Sequence, residues 1–104
     1  MKRESLVDMS IQYFRRRGFE VRKEKSSEFD FMIRNKREQH PVWVKEWNRT
    51  VGVNIVIRLD NKSQEGGLPD PIVVADHFSA HAKAYAKRRG LELITRLEMQ
   101  KRLR

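Results

Sequence analysis

The sequence predicts an α/β domain of three layers, a mixed sheet flanked by helices, and three observations predict it. Short runs rich in β-branched and aromatic residues recur along the chain, at FDFMI, PVWVKEW, IVVA and LELIT. Around them lie stretches with the spacing of a helix, closed by Gly18 and Gly90. Strands separated by helices in this way form a sheet covered on both faces. At 104 residues the chain has the length of one domain, 1–104, with a single core.

The elements follow in order. In ESLVDMSIQYFRRR, residues 4–17, Leu6, Met9, Tyr13 and Phe14 share one helical face. Arg15, Arg16 and Arg17 complement the carbonyl end of that helix, and Gly18 stops it. Phe19–Arg22 reads as a short strand and KEKSSE as a turn. In EFDFMIRN, Phe29, Phe31 and Ile33 alternate with Asp30, Met32 and Arg34, which places Asp30 on the less apolar face of a strand. NKREQHP is a charged turn, and Pro41 opens the strand PVWVKEW where a missing N–H is tolerated.

The stretch TVGVNIVIRLDNKSQEGG carries two periods at once. Val51, Val53, Ile55, Ile57 and Leu59 alternate as in a strand. Val51, Ile55, Val56 and Leu59 also form a helical stripe, with Thr50 as a cap and Gly66 and Gly67 as stops. The period alone leans to strand. Beyond the loop GLPDP, PIVVA is a short buried strand and Asp76 an N-cap for the helix HFSAHAKAYAKRR, with Phe78, Ala82, Tyr85 and Ala86 inward. LELIT is a last strand and RLEMQKRLR a basic terminal helix. No internal repeat, low-complexity tract or linker interrupts the series.

Lys and Arg number 23 against 14 Asp and Glu, a net charge of +9, and a field of that size favours polyanions. Nucleic acid is the expected partner; an anionic membrane surface or a ribosomal setting is the rival. The chain has no cysteine, which excludes disulfides and thiolate metal sites. No apolar stretch approaches the roughly 20 residues of a membrane span, and MKRESL has no signal-peptide apolar core. A soluble cytoplasmic protein that does not enter membranes is the expectation.

In an alternating strand Trp43, Lys45 and Trp47 project to one face, while Glu46 points away from Lys45. A carboxylate and a lysine two apart on a strand suit phosphodiester hydrolysis. An Asp on the neighbouring strand and that carboxylate hold a divalent metal, and the lysine orients or helps to deprotonate the attacking water. Here the carboxylate's position is Trp43.

Asp30, fourteen intervening residues and then Lys45 inside a hydrophobic strand resemble the PD-(D/E)xK motif of the restriction-endonuclease-like fold. The resemblance extends over most of the chain. The first helix ending in GFEV, the FDF strand, WVKEW followed by TVG, IVVADHFSAHAKAYAKRRG and LELIT are similar to the Mrr-type branch, which is related to archaeal Holliday-junction resolvases. Such domains place a helix after the lysine strand, so the resemblance, and not the period, predicts a helix over 51–65. It further implies an endonuclease acting on DNA with Mg²⁺ or Mn²⁺, with Asp30 and Lys45 catalytic, Asp30 a metal ligand, and Asp8 or Glu4 of the first helix as a further acid. Two positions depart from the pattern. Trp43 stands where the family has Glu, Gln or Asp and cannot ligate a metal, and Phe29 stands where it has proline. Resolvases and many restriction enzymes act as dimers, so a homodimer is among the implied states.

Each sharp reading has a bland counterpart. Asp30 and Lys45 also read as an ion pair at a sheet edge, and Trp43 and Trp47 as strand-face core in place of a base-stacking, DNA-binding platform. Arg15, Arg16, Lys83, Lys87 and Arg88 are solvated faces singly and a phosphate-tracking DNA-binding surface jointly. His77 and His81 have zinc-ligand spacing without a third convergent ligand, and read as helix surface. No phosphate loop, Cys/His nucleophile pair or GxSxG elbow is present. Three functions stand: a DNA-binding protein of nuclease fold with metal-dependent cleavage, weak or lost; a catalytically inactive nucleic-acid-binding module of the same fold; and a basic assembly or scaffold subunit.

Overall fold

The computed structural model describes residues 4–24 and 28–104. Among these, five strands form one sheet: β1 (Glu20–Arg22), β2 (Phe31–Arg34), β3 (Gln39–Lys45), β4 (Ile72–Ala75) and β5 (Glu92–Thr95). They lie side by side in chain order. β1–β2 and β2–β3 are antiparallel, whereas β3–β4 and β4–β5 are parallel. Parallel neighbours need a long crossover, and the helices α2 (Val53–Glu65) and α3 (Ala80–Arg89) supply the two that are required. The first helix, α1 (Leu6–Arg16), and the last, α4 (Arg96–Leu103), complete the described set.

The pleat sorts the side chains into two cores. Val42, Ile72 and Val74 meet Leu6, Met9 and Phe14 of α1 and Met99 of α4. On the opposite face Trp43 and Val73 meet Val56 and Leu59 of α2 and Ala82 and Ala86 of α3. β4 is buried along its whole length, as an internal parallel strand covered on both faces should be. No helix among the described residues is long and apolar enough to cross a membrane.

Three local expectations are corrected. Residues 53–65 are helical, and Thr50 does not cap them. The Val51 N–H donates to the His77 carbonyl (2.8 Å) and the Ser79 N–H to the Val51 carbonyl (3.0 Å), so the backbone stays extended through Val51 and Gly52 takes the N-cap position. The N-cap of α3 is Ser79, whose hydroxyl accepts from the Ala82 N–H (3.0 Å), and Asp76 is engaged elsewhere. Phe29 does not share a face with Phe31 and Ile33. It packs edge-on against Trp43, at 6.1 Å and 82°, while Phe31 and Ile33 belong to the α1 side. The turn expected over KEKSSE lies partly outside the described residues, at 25–27. Gly90 closes α3 with φ of 72°, a left-handed conformation that costs a residue without Cβ little.

One buried carboxylate joins the two crossover helices. Asp60 falls on the inner face of α2 and is fully buried. Its oxygens accept from Arg89 Nε (2.8 Å) and Nη2 (3.0 Å), from the Tyr85 hydroxyl (2.6 Å) and from the Gln64 amide (3.1 Å). The hydrogen bonds from Arg89, foremost, hold the Asp60 carboxyl at about 2, against the opposing effect of burial. A depressed folded-state pKa stabilises the fold fully above the unfolded value of about 4 and ceases to do so as pH falls through the folded one. Stability should therefore decline between about pH 4 and pH 2, and Asp60→Asn should flatten that limb in acid unfolding curves. At neutral pH Asp60→Ala should cost about 1–3 kcal/mol, chiefly because it leaves the Tyr85 hydroxyl and the Gln64 amide without their acceptor. Urea unfolding measures this directly.

Candidate phosphodiester site and nucleic-acid interface

The antiparallel register Phe31↔Val42 brings Asp30 alongside the end of β3. The Asp30 N–H donates to the Val42 carbonyl (2.9 Å), and Asp30 Oδ2 accepts from the Val44 N–H (2.7 Å). The carboxylate thus extends the ladder by one bond where β2 pairing stops, and it remains exposed. Lys45, the last residue of β3, is half-buried. Its Nζ lies 5.6 Å from the centre of the Trp47 ring, and the Arg49 guanidinium lies 4.6 Å from the same centre. Each such contact contributes about 0.5–1 kcal/mol at an exposed site. Among the described residues Lys45 and Asp30 form no ion pair, so the sheet-edge pair expected from the sequence is replaced by a stack of cations on Trp47.

Trp43 corrects the expectation of an indole facing DNA. It is 3% exposed, closed beneath Phe29 and the crossover helices, and offers no ring face to a base. Trp47 lies past the end of β3 and is half-buried; the two tryptophans do not form one platform.

Glu46 points to the other side, as the alternation requires. Its Oε1 accepts from the Leu6 N–H at the start of α1 (3.0 Å), where a carboxylate complements the helix dipole. Its Oε2 lies 3.5 Å from Arg96 Nη2. Arg96, 5% exposed, also donates from Nε to Asp76 Oδ1 (2.7 Å) and from Nη1 to the Glu4 carbonyl (2.8 Å). The Nη2 contact is an attraction between charges and not a hydrogen bond, for Nη2 has no partner of good geometry. Arg96 was invisible in the sequence as a hub, since an arginine opening a basic helix reads as solvated. Its only signal is its place immediately after a strand that ends level with Asp76.

The residues present do not fit a divalent metal at Asp30. Mg²⁺ and Mn²⁺ want several oxygen ligands, and one Asp30 oxygen already accepts from Val44 while the indole fills the next position. The other expected ligands, Glu4 and Asp8, do not complete a set. Glu4 Oε1 accepts from the Gln12 amide (3.0 Å), and Asp8 lies exposed in the first turn of α1. Among the described residues no three His, Asp or Glu side chains are arranged to hold a metal ion. His77 and His81 are both exposed and gain no third ligand.

The expected DNA-facing cations are accessible but divided. Lys83, Lys87 and Arg88 are exposed on α3, and Arg15 and Arg16 on α1, yet these helices cover opposite faces of the sheet. Only their C-terminal ends approach a common edge. Arg17 Nη1 pairs with Glu92 Oε2 (2.8 Å) at the start of β5, and Arg89 Nη2 with Asp70 Oδ1 (3.4 Å) ahead of β4. Because Trp43 is core, Trp43→Ala should lower the unfolding free energy by about 3–5 kcal/mol, and Trp43→Glu by more, since it adds a buried carboxylate. A loss under about 1 kcal/mol in denaturant titration would contradict this packing.

The chain matches a family model over residues 1–103, that of the Mrr_cat restriction endonucleases. No curated protein matches it. Solved structures of similar fold include a protein of unknown function, AF1548, with a TM-score of 0.71 at 18% identity over 82% of this chain and 53% of that one. A repair endonuclease from Pyrococcus abyssi gives 0.55 at 20% identity over 91% of this chain and 48% of that one. EndoMS in its apo form gives 0.56 at 20% over 91% and 47%. The chain thus spans about half the length of each, and at these identities the likeness is one of fold. A five-stranded mixed sheet flanked by helices, joined to a family match along nearly the whole sequence, makes this chain a member of the Mrr_cat restriction endonuclease family.

Proposed function

We propose that this nuclease-fold domain binds DNA and does not itself hydrolyse it with Mg²⁺ or Mn²⁺. The observation that carries the reading is Trp43, whose indole fills the core at the position from which the fold's second metal-binding acid would act. Lys45 lies against Trp47, which supports a role in the surface and not in activating a water. The net charge of +9 supports a polyanionic partner, and the repair endonucleases of similar fold make DNA the first candidate. The exposed cations Lys83, Lys87, Arg88, Arg15 and Arg16 are available to phosphates.

Two measurements test this. If about five phosphates are neutralised, the log–log dependence of duplex affinity on salt should have a slope of about −4 to −5, near −0.9 per contact. A salt-independent affinity, or none, removes the DNA-binding reading. Labelled duplex held with Mg²⁺ or Mn²⁺ should stay intact, and calorimetry should find no saturable metal site. Cleavage that requires both the metal and Lys45 would overturn the inactive reading while leaving DNA binding in place.

A further inference from the structure

The two ends of the sheet differ in charge, and the difference runs against the site that the motif marks. At the end where β3 finishes, Glu46 and Asp76 converge on Arg96, and the cations Lys45 and Arg49 lie on Trp47. There the cations Lys45, Arg49 and Arg96 are matched by the carboxylates Asp30, Glu46 and Asp76, which leaves no excess of positive charge for a phosphate. At the opposite end, where β3 begins, the turn from β2 displays Lys36 and Arg37. Six residue steps of β3, at about 3.3 Å each, separate the two ends by roughly 20 Å.

We propose that the phosphate backbone of a DNA duplex is bound at the β2–β3 turn by Lys36 and Arg37, and not at the Asp30–Lys45 end. This rests on the DNA-binding reading and adds the surface to it.

The turn is held before any ligand arrives. Asn35 Oδ1 accepts from the Arg37 and Glu38 N–H groups, each at 2.8 Å, and the Asn35 N–H donates to the Glu38 carbonyl (2.9 Å). Lys36 and Arg37 are exposed and, among the described residues, enter no ion pair. The fixed backbone spares the ordering of the turn, so binding costs only the rotamer freedom of the two side chains. The acids nearby are already engaged: Glu20 with Arg34 Nε (3.1 Å) and Glu38 with His40 Nε2 (3.0 Å). Gly18, Glu20 and Arg34–Arg37 line an open depression, so the turn and the end of α1, which runs into Gly18, form one surface. Arg15 and Arg16 are exposed in that last turn.

The chemistry selects duplex over single strand. Unpaired bases are held by exposed aromatic rings, and the rings near this end, Phe14 and Phe19, are buried. Tyr13 carries the Arg17 guanidinium 5.4 Å from its ring centre. The surface offers charge to phosphates and no plane to a base.

The test uses the full chain and a labelled DNA duplex. Lys36→Gln/Arg37→Gln should make the salt slope shallower by about 2, near 0.9 for each lost phosphate contact, while Arg58→Gln on the exposed side of α2 should leave it unchanged. Thermal unfolding should not move for the double variant, since among the described residues neither side chain is bonded. In the unmodified protein, lysine acetylation read by mass spectrometry should show Lys36 protected several-fold by the duplex. If the native chain binds duplex but the double variant keeps its slope, or Lys36 reacts equally with and without duplex, the placement is wrong and DNA binding stands. If the native chain binds no duplex at any salt, the DNA-binding reading itself fails.

Discussion

The packing of the Trp43 indole is the constraint on which the rest of the molecule depends. β3 is the strand where the antiparallel and parallel halves of the sheet meet, and Trp43 projects from it into the core shared by Phe29, α2 and α3. A large aromatic there anchors both crossover helices against the sheet. The same position, in the geometry that the family's motif describes, carries an acid that must face water and metal. One residue cannot do both, because a carboxylate in a dry core pays its full desolvation and an indole offers no oxygen. In this chain the position serves packing.

Charged side chains tie the layers together where apolar burial ends. Asp60 receives Arg89, Tyr85 and Gln64 between α2 and α3. On the other side Arg96 reaches Asp76, Glu46 and the Glu4 carbonyl, joining α4 to the ends of β4 and β3 and to the segment entering α1. Each network buries a charge, and a buried charge is tolerated only with its partners in place. The relative placement of the helices is therefore specified by geometry as well as by hydrophobic area. The same networks draw Glu46 and Asp76 into structural contacts at the end of the sheet where the motif would need acids for chemistry.

Binding and hydrolysis make different demands on such a fold. Affinity for a polyanion needs only accessible cations and low opposing charge, whereas hydrolysis needs an assembled first shell of oxygens. Among the described residues exposed cations lie on all four helices, on the β2–β3 turn and, at Arg49, beside Lys45 on Trp47, whereas no matching set of acids gathers at Asp30. Binding and cleavage can then diverge within one fold.

Much of this was legible in the chain itself. The face of α1 built on Leu6, Met9 and Phe14, the buried run of β4, the Gly90 stop and the opposite directions of Lys45 and Glu46 follow from period and local sterics, which act over a few residues and leave a trace in them. The resemblance carried by Asp30, Lys45 and the segments around them reached the family. Residues 51–65 did not yield to period, because Val53, Ile55, Ile57 and Leu59 serve a strand as well as a helix. The parallel pairing of β3 with β4 decided between them, since that pairing demands a crossover. The sequence made Asp76 the N-cap of α3, but the bridge of Val51 to Phe78 keeps residues 77–79 extended and moves the cap to Ser79, while Asp76 receives Arg96, twenty residues on. Whether Trp43 faced a base or the core, and whether Glu4, Asp8 and Asp30 met, were likewise beyond reach of the sequence. Those outcomes depend on which distant surfaces come together, and the physics that decides them, burial and the pairing of charges across layers, has no local signature.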